Sequence, residues 1–82
     1  MIDTEARAIV SAALLAIVPD APLDTLDETT DLRDSLELDS LDFLAFVEQL
    51  SHRSGRRIDE DDYPHLRTLA DCTRFLRDTT AA

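Results

Sequence analysis

The chain has 82 residues, enough for one compact domain over residues 1–82 and too few for a deep cleft of buried catalytic groups, because a core of this size supplies only about 3 to 5 kcal/mol of net stability. Eight basic against 18 acidic residues give a formal charge of −10, which excludes nucleic acid and anionic membranes as natural partners and favours basic protein surfaces. With 44% hydrophobic residues set at helical spacing, the acidity does not signify disorder.

In chain order, Ala6, Ile9, Val10, Ala13, Leu14, Ile17 and Val18 recur at three-and-four spacing and predict a first helix that Pro19 ends. The apolar stretch Ala8–Val18 is too short to cross a bilayer. Asp3 and Glu5 before it carry the wrong sign for a secretory signal. Residues 20–39 are rich in turn formers and acids, with isolated Leu23, Leu26, Leu32, Leu36 and Leu38, which predicts a long ordered loop pinned to the core by its leucines. A loop of this length in a compact domain frames a site more often than it merely connects.

A second helix follows. Leu41, Leu44, Val47 and Leu50 are expected to share its buried stripe, widened by Phe43 and Phe46, with Asp39 or Ser40 as N-cap. Gly55, the single glycine, is placed for a left-handed cap that ends the helix near Arg53 or Ser54. Ile58 and Leu66 bracket the acidic run Asp59–Asp62, where Tyr63 and Pro64 allow only a short, irregular third helix. Thr68 and Asp71 resemble a capping box for a final helix with the stripe Leu69, Cys72, Phe75 and Leu76. Residues 78–82 are expected to fray. The predicted fold is all-α: a four-helix bundle with a long loop after the first helix and a short third helix.

Cys72, the one cysteine, forms no internal disulfide and suits a small buried hydrophobe in a reduced, cytoplasmic setting. Asp27, Asp31, Asp34 and Asp39 fail as a calcium loop, because Leu32 and Leu38 stand where the glycine and the closing glutamate belong. His52 and His65 lack partners at metal-ligand spacing and form no local catalytic motif with a serine. Arg53, Arg56 and Arg57 suit the negative end of the second helix.

The segment Glu37-Leu38-Asp39-Ser40-Leu41-Asp42-Phe43-Leu44 resembles the Asp-Ser-Leu signature of acyl and peptidyl carrier proteins, and the order of elements around it resembles that family along nearly the whole chain. Asp34-Ser35-Leu36 repeats the triplet. Counting on from Ser40 reaches Leu44, Val47 and Leu50, whereas Ser35 leads to Asp39 and Asp42, so Ser40 begins a packable helix and Ser35 belongs to the preceding loop. The resemblance implies a non-catalytic carrier with 4'-phosphopantetheine, taken from coenzyme A, attached covalently at Ser40 between Asp39 and Leu41. It implies acyl cargo held as thioesters and presented to fatty-acid, polyketide or related biosynthetic enzymes.

The same resemblance implies as partners a phosphopantetheinyl transferase, an acyl-loading ligase or transacylase, and condensing enzymes whose basic patches meet Asp39, Leu41, Asp42, Leu44 and Glu48 of a monomer. A cavity between the second helix and the loop, sensed by Leu44, Val47 and Leu66, would shelter the acyl chain. Two departures stand out: Glu37 occupies a position where the family commonly has glycine, and Ala45 one where an acid is frequent. An aminoacyl or peptidyl carrier with the same serine chemistry is an alternative, as is an unmodified helical interaction module in which Ser40 only caps a helix.

Overall fold

A computed structural model describes residues 2–79. Its helices are α1 (Asp3–Ile17), α2 (Leu32–Ser35), α3 (Ser40–Ser54) and α4 (Leu69–Thr79), with a 3₁₀ helix at Glu60–His65 between the last two. No strand occurs among the described residues; Asp31 and Thr68 form an isolated bridge.

Helix α1 packs against both α3 and α4. Its buried face is Ala6, Val10, Ala13 and Leu14, with Ile9 and Ile17 packed at the edge. Small residues at positions 6 and 13 suit a helix hemmed in on two sides. From α3 the core takes Phe43, Phe46, Val47 and Leu50, and from α4 Leu69, Cys72 and Leu76. Leu41 and Leu44 are not in that stripe: they are 77% and 41% exposed. At about 100° per residue they fall on the opposite side of α3 from Phe46 and Leu50, so the predicted stripe joined two faces.

The connection between α1 and α3 behaves as its leucines require. Leu32 is fully buried, Leu38 is 6% exposed, and Leu23, Leu26 and Leu36 pack against the core. One turn of it is helical. Asp31 caps α2 by accepting from the Arg33 and Asp34 amides at 2.9 and 3.2 Å, and Ser35, expected in a loop, is the last residue of that turn. The connection is tied to the approach of α4 by Leu32 N–H donating to Arg67 C=O at 2.7 Å and Ala70 N–H to Glu28 C=O at 3.1 Å.

Gly55 ends α3 at φ 69°, and its N–H and that of Arg56 both converge on the Ser51 carbonyl. Pro64 lies inside the 3₁₀ helix, whose tighter turns tolerate it for six residues. Thr68 Oγ1 accepts from the Asp71 amide at 3.0 Å, as the capping pattern predicts. Asp78 and Thr79, expected to fray, complete the last turn of α4; the rest of the expected tail lies outside the described residues. No described helix is long and apolar enough to cross a membrane.

Candidate functional site

Asp39 is the N-cap of α3, with its carboxylate accepting from the Asp42 amide at 2.8 Å, and its carbonyl accepts from the Phe43 amide at 2.9 Å. That arrangement satisfies the third and fourth amides of the helix and leaves those of Ser40 and Leu41 without an acceptor among the described residues. Ser40 is therefore the first residue of a four-turn helix, exposed, beside two open N–H groups at the positive end of the helix dipole. A phosphodiester on its oxygen suits that place, and nothing in the core would have to move to admit it. Ser35 offers no such place. It closes a four-residue helix, and its own N–H already donates to the Asp31 carbonyl at 2.9 Å.

Just before the motif, Glu37 adopts φ 54°, the one non-glycine residue in the left-handed region among those described. Leu38 then turns inward to the core while Asp39 and Ser40 turn outward. At the position where the family commonly has glycine, this chain holds a glutamate in the left-handed region.

Along α3 the other expected site residues fall on one outer strip. Leu41, Leu44 and Glu48 are exposed and spaced three and four apart, with Asp42 half-buried at its side. Two apolar side chains edged by acids, next to the attachment candidate, form a surface of the kind that a basic partner reads.

A cleft of about 560 Å³ opens beside Ser40. Phe43 and Leu44 of α3 form one wall, and Tyr63 and Pro64 of the 3₁₀ helix the other. The Phe43 and Tyr63 rings meet edge to face at 5.4 Å and 84°. Of the residues expected to sense an acyl chain, only Leu44 lines this cleft, since Val47 and Leu66 are buried in the core. In place of leucines, the α1–α3 connection contributes Asp31 and Arg33. Sequence reasoning missed Arg33, Tyr63 and Arg67 here, because the contact between this connection and the 3₁₀ helix leaves no periodic signal.

The aspartates of the connection act as caps and turns. Asp27 accepts from the Thr29 N–H and hydroxyl at 2.8 Å each, and those bonds hold its carboxyl below the usual carboxylate range. Asp31 is held low by its bond from the Asp34 amide, with a contribution from Arg67, whose Nε and Nη2 both lie 3.3 Å from its second oxygen. No group of three or more metal-ligating side chains occurs among the described residues. His52 and His65 are exposed. Burial pushes the Cys72 thiol well above its ordinary pKa, which leaves it an inert part of the core.

An all-helical bundle with an exposed serine at the head of its second long helix, backed by open amides and flanked by an acidic strip, is the arrangement that a carrier domain requires. The family model described as "Phosphopantetheine attachment site" matches residues 8–76, and the chain belongs to that family. It is similar to an acyl carrier protein of Lactobacillus acidophilus, 28% identical over 54 residues that make up 66% of this chain and 68% of the relative. Its fold matches the solution structure of a chain from Anaplasma phagocytophilum assigned as an acyl carrier protein, with a TM-score of 0.84 and 28% identity over 99% of this chain and 94% of that one.

Proposed function

We propose that the chain is an acyl carrier whose Ser40 bears 4'-phosphopantetheine. The observation that carries this reading is the position of Ser40, exposed at the start of α3 beside two amides without acceptors. Among the described residues no basic side chain is bonded to that hydroxyl, and in this reading the base comes from a separate phosphopantetheinyl transferase. In the transfer, Ser40 Oγ bonds to the phosphorus of coenzyme A that carries the pantetheine, the nucleotide half leaves, and the serine proton passes to the transferase. Once attached, the arm supplies a thiol that holds an acyl group as a thioester.

The chain's own residues position and present. Asp39 fixes the first turn of α3, and Leu38 and Phe43 anchor that turn to the core. Leu41, Leu44, Asp42 and Glu48 offer a docking strip to the loading ligase or transacylase and to condensing enzymes with basic patches, of fatty-acid, polyketide or related biosynthesis. The acidic charge favours acyl over aminoacyl cargo, and the reading implies a monomer working in the cytoplasm.

Intact mass after incubation with coenzyme A and a broad-specificity transferase tests the assignment. One arm is expected on the parent and on Ser35→Ala, and none on Ser40→Ala. An arm retained by Ser40→Ala would overturn the site, and an unmodified parent would leave Ser40 as the first residue of an ordinary capped helix.

A further inference from the structure

The cleft beside Ser40 is unusual in its charges. In a chain with ten more acids than bases, most cations have a carboxylate partner: Arg7 pairs with Glu28, Arg57 with Asp59, Arg67 with Asp31, Arg74 with Asp71, and Arg77 with Asp3 and Asp78. Arg33, Arg53 and Arg56 have none among the described residues, and of these three only Arg33 lines the cleft together with Ser40. Its guanidinium carbon lies 5.4 Å from the centroid of the Phe43 ring, a contact that uses its charge against the ring face and leaves its fork of N–H donors without an acceptor. Asp31, which lines the same cleft, does not serve it, because its oxygens are taken by the Arg33 and Asp34 backbone amides and by the Arg67 side chain. Glu60, the remaining acid of the lining, makes no ion pair with it.

We propose that Arg33 makes this cleft a seat for an oxyanion carried on Ser40, either the terminal carboxylate of a loaded acyl group or the phosphodiester of the arm. The inference rests on the carrier reading above. A purely aliphatic chain entering the cleft would strip water from an unpaired guanidinium and return nothing for it. A group ending in a carboxylate gives the Arg33 fork a bidentate acceptor while its methylenes lie against Phe43, Leu44 and Tyr63. The arm's phosphate is the nearer source, being bonded to Ser40 itself, and offers the same fork a similar oxyanion.

The test uses the full chain as parent, Arg33→Met and Arg33→Lys, converted to the arm-bearing form and loaded with a butyryl or a succinyl group, each step checked by mass. The readouts are the Arg33 Nε–Hε NMR signal and the phosphorus resonance of the arm. A carboxylate seat predicts an Arg33 shift on succinyl but not butyryl loading. A phosphate seat predicts that the Arg33 signal moves when the arm is attached, whatever the cargo, and that the phosphorus resonance moves back in Arg33→Met and less in Arg33→Lys. Either result supports the proposal. An arm that attaches while Arg33 stays unmoved in every form overturns the seat alone; failure of the arm to attach overturns the carrier reading and the seat with it.

Discussion

Among the described residues two sit in the left-handed region, and only one of them is glycine. Gly55 at φ 69° has open space where a Cβ would go, so Gly55→Ala meets backbone strain alone and is expected to cost about 1 kcal/mol. Glu37 at φ 54° already carries that strain. Glu37→Gly relieves it while giving the unfolded chain more freedom, two effects of about 1 kcal/mol that oppose each other. The urea midpoint should therefore fall for Gly55→Ala and stay near or above that of the parent for Glu37→Gly; equal falls would show that Glu37 is not held left-handed. The glycine cap was readable in the sequence because it follows a long periodic run. Glu37 was visible only as a departure from the family pattern, with its backbone angle hidden, since nothing in the composition of an acidic loop announces a positive φ.

Asp31 ties together α2, the α1–α3 connection and Arg67, which makes its ionisation part of stability. Its folded pKa is lowered, so its contribution is complete above the unfolded value of about 4 and disappears as pH falls through the folded value. Asp31→Asn keeps a capping oxygen and removes the charge. At neutral pH it should cost up to about 1 kcal/mol, the scale of an exposed ion pair, whereas Asp31→Ala loses the cap and costs about 1 kcal/mol more. Between pH 7 and pH 3 the parent should lose more stability than Asp31→Asn in parallel urea titrations. Identical pH profiles would remove the carboxylate from the account.

Among the elements, the long helices were legible in the sequence and the short turn was not. Periods of three and four over fifteen residues place α1 and α3 nearly to their ends, and Pro64 announces an irregular third helix. Helix α2 has four residues, too few to show a period; the Asp31 cap ahead of Leu32 and Leu36 was the available sign. In α3 the sequence left an ambiguity that only packing resolves, because leucines occur on both faces and hydrophobicity alone does not say which face meets α1. That division can be measured. Phe46→Ala removes a fully buried ring and should cost about 3 to 5 kcal/mol, the whole margin of so small a domain, with loss of cooperative unfolding by circular dichroism. Leu41→Ala, at 77% exposure, should leave the urea curve within about 0.5 kcal/mol of the parent while slowing attachment of the arm. A large loss of stability in Leu41→Ala would mean that it packs inward and that the outer strip is not free for partners.

For the molecule as a whole, the charge of −10 spreads over a body 33 × 24 × 19 Å, longer than the roughly 10 Å over which salt screens charge at 0.1 M. A partner docked on α3 therefore feels chiefly the acids near that helix, and the rest of the net charge acts on the rate of approach only at low salt. Two different signatures follow for the proposed transferase-catalysed attachment to Ser40. Raising ionic strength from about 0.02 to 0.3 M should lower kcat/KM several-fold with little change in kcat, since screening affects encounter more than chemistry. Glu48→Gln, a change on the docking strip, should lower kcat/KM and flatten that salt dependence. Glu5→Gln removes the same charge from the first turn of α1, outside the α3 strip, and should do neither beyond the low-salt end. If the two variants behaved alike at every ionic strength, net charge and not the α3 strip would guide the encounter, and the placement of the acids beside Ser40 would have no bearing on how partners find it.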